Sequence, residues 1–150
     1  MKTSKNIKAF GVAMAAVLCL CCVGCKFMYD VLLTAPYHFD YREMMRETER
    51  IEIINIDGSN ITVIKVLDDD EKRELLFDLS KIKYTAYHDG GVNKNPQGLT
   101  LKIFYYNNTN YALLNHTTQA KFNKDGKYME GLSIDCPEDV FTNVVSKFMD

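Results

Sequence analysis

The chain predicts an α+β fold: an antiparallel β-sheet, built as a meander with Asp-Gly hairpins, packed on one face by two helices. Three observations predict it. β-Branched runs at residues 50–56 and 60–66 flank Asp57-Gly58-Ser59, and Asp-Gly between two such runs marks a hairpin. Residues 99–105 place Leu99, Leu101, Ile103 and Tyr105 on one face, the period of a half-buried strand. Val140, Phe141, Val144, Val145, Phe148 and Met149 form an apolar stripe at helical spacing, which needs a sheet to cover it.

The first hairpin is followed by Asp68-Asp69-Asp70-Glu71, then by Leu75, Leu76, Leu79 and Ile82 at helical spacing. Asp68 with Glu71 predicts a capping box, and the acidic first turn suits the helix dipole. The three aspartates lack the alternating ligand spacing and the glycine turn of a calcium loop. A strand over residues 82–88 leads into a loop with Gly90, Gly91 and Pro96. After the strand at 99–105, a turn at 107–110 returns the chain through 111–114. A strand near 120–122 meets a second Asp-Gly turn, Asp125-Gly126, and residues 128–134 come back from it. In the closing helix Asp135 is the expected cap, with Glu138 at the box position and Pro137 in the first turn, where its missing N–H costs nothing. The resulting order is β-β-α-β-β-β-β-β-α. It has no βαβ alternation and no glycine-rich phosphate loop.

Formal net charge is −2. Acids and bases interleave along the chain, as at Glu71, Lys72, Arg73 and Glu74, which argues against nucleic acid as a partner. The N-terminus is different. Lys2, Lys5 and Lys8 precede an apolar run at residues 9–23, shorter than the ~20 residues of a membrane-spanning helix. Val23-Gly24 supplies small residues immediately before Cys25.

This segment resembles a bacterial lipoprotein signal peptide, with Cys22-Val23-Gly24-Cys25 at the cleavage box and Cys22 where leucine is usual. The resemblance implies that Cys25 receives a diacylglycerol and becomes the mature N-terminus. It divides the chain into a targeting segment (1–24), a lipid-attachment site with tether (25–49), in which residues 40–46 fit a short helical turn, and a single domain (50–150). The alternative is an uncleaved N-terminal helix, lengthened by Phe27, Met28, Tyr29 and residues 31–33. Both put the domain on the extracytoplasmic face of the cell membrane, because the lysine-rich leader stays inside. The remainder resembles a loose group of small lipoproteins and secreted proteins of Gram-positive bacteria. The likeness rests on Ile51-Glu52-Ile53, the acid-capped helix, residues 101–107, Asp125-Gly126-Lys127-Tyr128 and the closing helix. No activity is established for that group, so the resemblance implies no catalytic residue.

Chemistry-bearing residues are few. His38, His88 and His116 show no metal-pair spacing, and no cofactor motif is present. His88-Asp89, running into Gly90-Gly91, is the most site-like cluster. As a general base it would need a nucleophile within about 3 Å, and no serine or cysteine elbow lies near it in sequence. Cys19, Cys21, Cys22 and Cys25 belong to the N-terminal segment, which leaves Cys136 as a free thiol, either reactive at a helix start or a buried structural residue. Tyr105, Tyr106, Tyr111 and Tyr128 are core or cross-strand residues, or a binding surface if they align away from the helices. The function expected is a membrane-anchored, non-enzymatic binding module for a protein or small ligand. The alternatives are a small hydrolase using His88 and Asp89, and an inhibitor or immunity protein.

Overall fold

A computed structural model describes residues 34–87, 91–106 and 110–149. The chain divides into Met1–Thr34 and Ala35–Asp150, and the architecture is that of the second unit. Its elements are β1 (Thr34–Tyr37), α1 (Tyr41–Glu47), β2 (Thr48–Asp57), β3 (Asn60–Val66), α2 (Asp69–Lys81), β4 (Tyr84–Tyr87), β5 (Gly98–Tyr105), β6 (Asn110–Leu114), β7 (Thr118–Asn123), β8 (Tyr128–Asp135) and α3 (Glu138–Ser146). The strands make one eight-stranded sheet in the order β1-β4-β8-β7-β6-β5-β2-β3. From β4 to β3 every pairing is antiparallel. The α+β class read from the sequence is the class of the structure.

Local chemistry accounts for the elements that the sequence predicted. Gly58 takes φ 61° in the first hairpin and Gly126 φ 78° in the last, the left-handed conformation that only glycine adopts without strain. The Asp68 carboxylate accepts from the amides of Asp70 and Glu71, while the Glu71 carboxylate accepts from the Asp68 amide, so the capping box is complete. Lys72 is buried, and its Nζ donates to the Glu49 carbonyl (3.0 Å) and to Asp69 (2.8 Å), pinning α2 against the start of β2.

Two features differ from the sequence reading. The stretch read as a tether, with a short helical turn at residues 40–46, contributes β1 and the full helix α1. Phe39 is buried, edge-on to Tyr37 and Tyr84 at 5.1 Å each, and Asp40 caps α1 by accepting from the amides of Arg42 and Glu43. The second concerns α3. Asp135 stays in β8, paired with Thr85, so the cap position falls to Pro137 and no side chain caps the helix. The apolar stripe of α3 is also narrower than its sequence: Phe141, Val145 and Phe148 are buried, whereas Val140 and Met149 face solvent.

Both faces of the sheet carry core. On the helix side Ile51, Ile53, Leu101, Ile103 and Ile134 meet Leu75, Leu76, Leu79, Phe141 and Val145. On the far side Ile54, Ile56, Leu113, Ala120 and Phe122 form a second cluster. Ile53 and Ile54 are consecutive and fully buried on opposite faces, which fits a strand inside the sheet.

The strand order requires three crossings, one of them made by α2 on the helix side between β3 and β4. Between β1 and β2 lie β4, β8, β7, β6 and β5, and the chain passes them on the helix side through α1. Between β4 and β5 lie β8, β7 and β6, and residues 91–97 pass them on the far side. This far-side crossing is tightly seated. Val92 packs against the far-side cluster, Pro96 is buried, and Thr118 Oγ1 donates to the Asn93 carbonyl (3.3 Å). A Cβ built on Gly131 would stand 2.6 Å from Val92 Cγ1 and 2.7 Å from the Gln119 carbonyl oxygen, so only glycine fits below the loop.

Candidate functional site

The first crossing leaves space beneath it. β7 presents Ala120 and Phe122 to the far side and Gln119 and Lys121 to the helix side. β5, two strands away, presents Leu101 and Ile103 to the helix side. Polar side chains of β7 therefore face the same way as the main core, and α1 lies over them. The result is a cleft between α1 and strands β5, β7 and β8, with a main chamber of ≈ 390 Å³ and a narrower inner recess of ≈ 130 Å³. Such a volume falls within the range of small-ligand sites.

Polar groups converge there. Lys121 Nζ pairs with Glu130 at 2.9 Å across the β7–β8 hairpin. Tyr105 shares a side-chain hydrogen bond with Gln119, and its hydroxyl is pushed up to about 12 by burial, then by the nearby carboxylate of Glu47. Burial likewise raises Tyr37, against the opposing pull of Lys121. Both phenols therefore stay protonated and act as neutral hydrogen-bonding groups. Thr48 lines the recess, and its hydroxyl is buried without a hydrogen-bond partner. An unpaired buried hydroxyl costs about 1–3 kcal/mol; the Tyr84 hydroxyl shares this state, and of the two only Thr48 lines the cleft. Asp40, Glu43, Glu47 and Glu130 outnumber Arg46 and Lys121 among the charged residues of the lining. Among the described residues the lining contains no histidine, serine or cysteine.

No family model, curated protein or solved structure matches the chain. The function must therefore be argued from these side chains.

Of the residues singled out from the sequence, Tyr105 and Tyr106 line the cleft and Cys136 does not. Cys25, with the whole targeting segment, lies outside the described residues, as do His88 and Asp89. Among the described residues no helix is long and apolar enough to cross a membrane, and no group of three or more His, Cys, Asp or Glu residues is placed to hold a metal. Cys136 is buried between β8 and α3. Burial first, and then the charges of Asp135 and Asp139, push its thiol up to about 11, so the thiolate is suppressed.

The tyrosines divide between the two faces. Tyr105 lines the cleft, whereas Tyr111 and Tyr128 join Phe104 and Phe122 in an aromatic row on the far side. Tyr111 stacks on Phe122 at 5.2 Å, and Lys102 lies over both Phe104 and Tyr111. One sequence signal did point to the cleft. In residues 118–123 (TQAKFN) the polar alternates fall on the face where the neighbouring meander strands put their apolar ones.

Proposed function

We propose that this chain is an extracytoplasmic lipoprotein, held on the cell membrane by a lipid on Cys25, that binds a small polar ligand without catalysing a reaction on it. The ligand enters the cleft beneath α1. The observation that carries this reading is the buried, unpartnered Thr48 hydroxyl beside Tyr105, Gln119 and the Lys121–Glu130 pair. These groups offer donors and acceptors to hydroxyl or amide groups of a ligand. The excess of carboxylates selects against a ligand of net negative charge. A membrane-bound receptor of this kind needs no nucleophile, and among the described residues the lining provides no Ser, Cys or His to act as one.

Two measurements test the two halves of the proposal. Thermal unfolding of the full chain in detergent is followed with neutral sugars, amino sugars and blocked dipeptides. Saturable stabilisation by one class, lost in Lys121→Met and in Thr48→Val, supports the cleft. Stabilisation that persists in both variants places binding elsewhere. Separately, labelled fatty acid should enter the wild-type chain and not Cys25→Ala. Label in the variant would rule out attachment at Cys25.

A further inference from the structure

The two edges of the sheet are built differently. The β1 edge is four residues long and contains Pro36, which cannot donate to an added strand. The β3 edge runs for seven residues, NITVIKV, with no proline or glycine, and it pairs only with β2. Ile61, Val63, Ile64 and Val66 on this strand are exposed, at 61%, 52%, 39% and 51%. The Lys65 ammonium, the usual guard of an open edge, is drawn to Glu71 at 2.7 Å, toward α2 and away from the rim.

A bulge fixes where these side chains point. The β2–β3 register shifts between Ile53 and Ile54: Val63 pairs with Ile54 and Lys65 with Ile53, leaving Ile64 as the extra residue. Ile61 and Val63 share the far face with Ile56 and Ile54, and the insertion brings Val66, opposite Glu52, to the same face. The aliphatic positions are then symmetric about the middle of the strand. Ile61 mirrors Val66, and Val63 mirrors Ile64.

We infer that β3 is a self-association edge, pairing antiparallel with β3 of a second copy of this chain. Two-fold pairing about the Val63–Ile64 midpoint sets Ile61 against Val66 of the partner and Val63 against its Ile64. Thr62 meets the partner's Lys65 on the other face. All four exposed aliphatics of each copy then meet aliphatics, and the open backbone donors and acceptors of β3 find partners. A partner strand of another sequence would need the same apolar spacing to gain as much; the chain's own β3 already has it.

The test uses the full chain in detergent micelles, by sedimentation equilibrium. The wild type should be dimeric. Val63→Lys, which sets two like charges near the two-fold, should weaken dimerisation at least about tenfold and leave thermal unfolding unchanged at concentrations where both proteins are monomeric. Register is tested with cysteine variants, scored against the disulfide background of the unsubstituted chain. Copies carrying Ile61→Cys should cross-link with copies carrying Val66→Cys, and neither should cross-link efficiently with itself. A monomeric wild type at every accessible concentration, a dimer insensitive to Val63→Lys, or equal cross-linking in every combination would each overturn the inference.

Discussion

Two of the three crossings of the sheet, those that lead into β2 and into β5, are finished to different standards. Residues 91–97 traverse the far side with Val92 seated over Gly131, Pro96 buried and Thr118 donating to the Asn93 carbonyl. The Asn115 side chain closes the adjoining β6–β7 turn by accepting from the amides of Thr117 and Thr118. The β1–α1 crossing on the helix side covers a polar chamber and leaves the Thr48 hydroxyl unmatched. The first arrangement is what stability alone selects. In the second, folding energy has been forgone where binding groups collect, which is the usual mark of a functional site.

The largest test of this contrast is Gly131→Ala. Its new Cβ meets both a side chain and the Gln119 carbonyl oxygen, and the backbone oxygen cannot swing away. Overpacking of this kind should cost about 3 kcal/mol in urea unfolding. A loss below about 1 kcal/mol would show that the loop yields and that the far crossing is not tightly seated. Thr48→Val tests the other crossing and should have the opposite sign. Replacing the unpaired hydroxyl with a methyl group should stabilise the fold by about 1 kcal/mol while removing ligand binding. Destabilisation would mean that the hydroxyl is already satisfied and that the contrast fails.

The smallest effect belongs to neither crossing and provides a baseline. Asp78 receives Lys147 of the α3 end at 2.8 Å and Lys81 of its own helix at 3.0 Å. These hydrogen bonds, Lys147 first, hold its carboxyl below the usual carboxylate range against a smaller opposing effect of burial. Because the folded value is depressed, the stabilisation is complete above the unfolded carboxylate value of about 4 and disappears as pH falls through the folded one. Asp78→Asn should therefore cost roughly 0.5 kcal/mol at pH 7 and nothing at low pH, as read from thermal unfolding across pH.

The parts of the fold that were legible are those written in consecutive residues. Asp57-Gly58 and Asp125-Gly126 announce their hairpins, Asp68 and Glu71 their cap, and Leu101 and Ile103 their strand face. A segment of four residues such as β1 carries too few periods to be read, α1 shows in the sequence only as a short turn at residues 40–46, and the place of both depends on one buried ring, Phe39. The cap of α3 was misplaced because ladder pairing with Thr85 holds Asp135 in β8, a long-range constraint that no local motif records. The cleft was hidden for the same reason. Tyr37, Thr48, Tyr105, Lys121 and Glu130 come from five separate strands, and only the strand order brings them together.

That strand order also constrains how the protein comes to be folded. β2 waits for β5, about fifty residues further along, and β4 waits for β8, the last strand of all. A chain emerging N-terminus first therefore holds only the β2–β3 hairpin until the C-terminal meander has followed it, and a lone hairpin is barely stable in water. Such a polypeptide stays open for most of its synthesis, then closes in a late, cooperative step once its final strand has emerged.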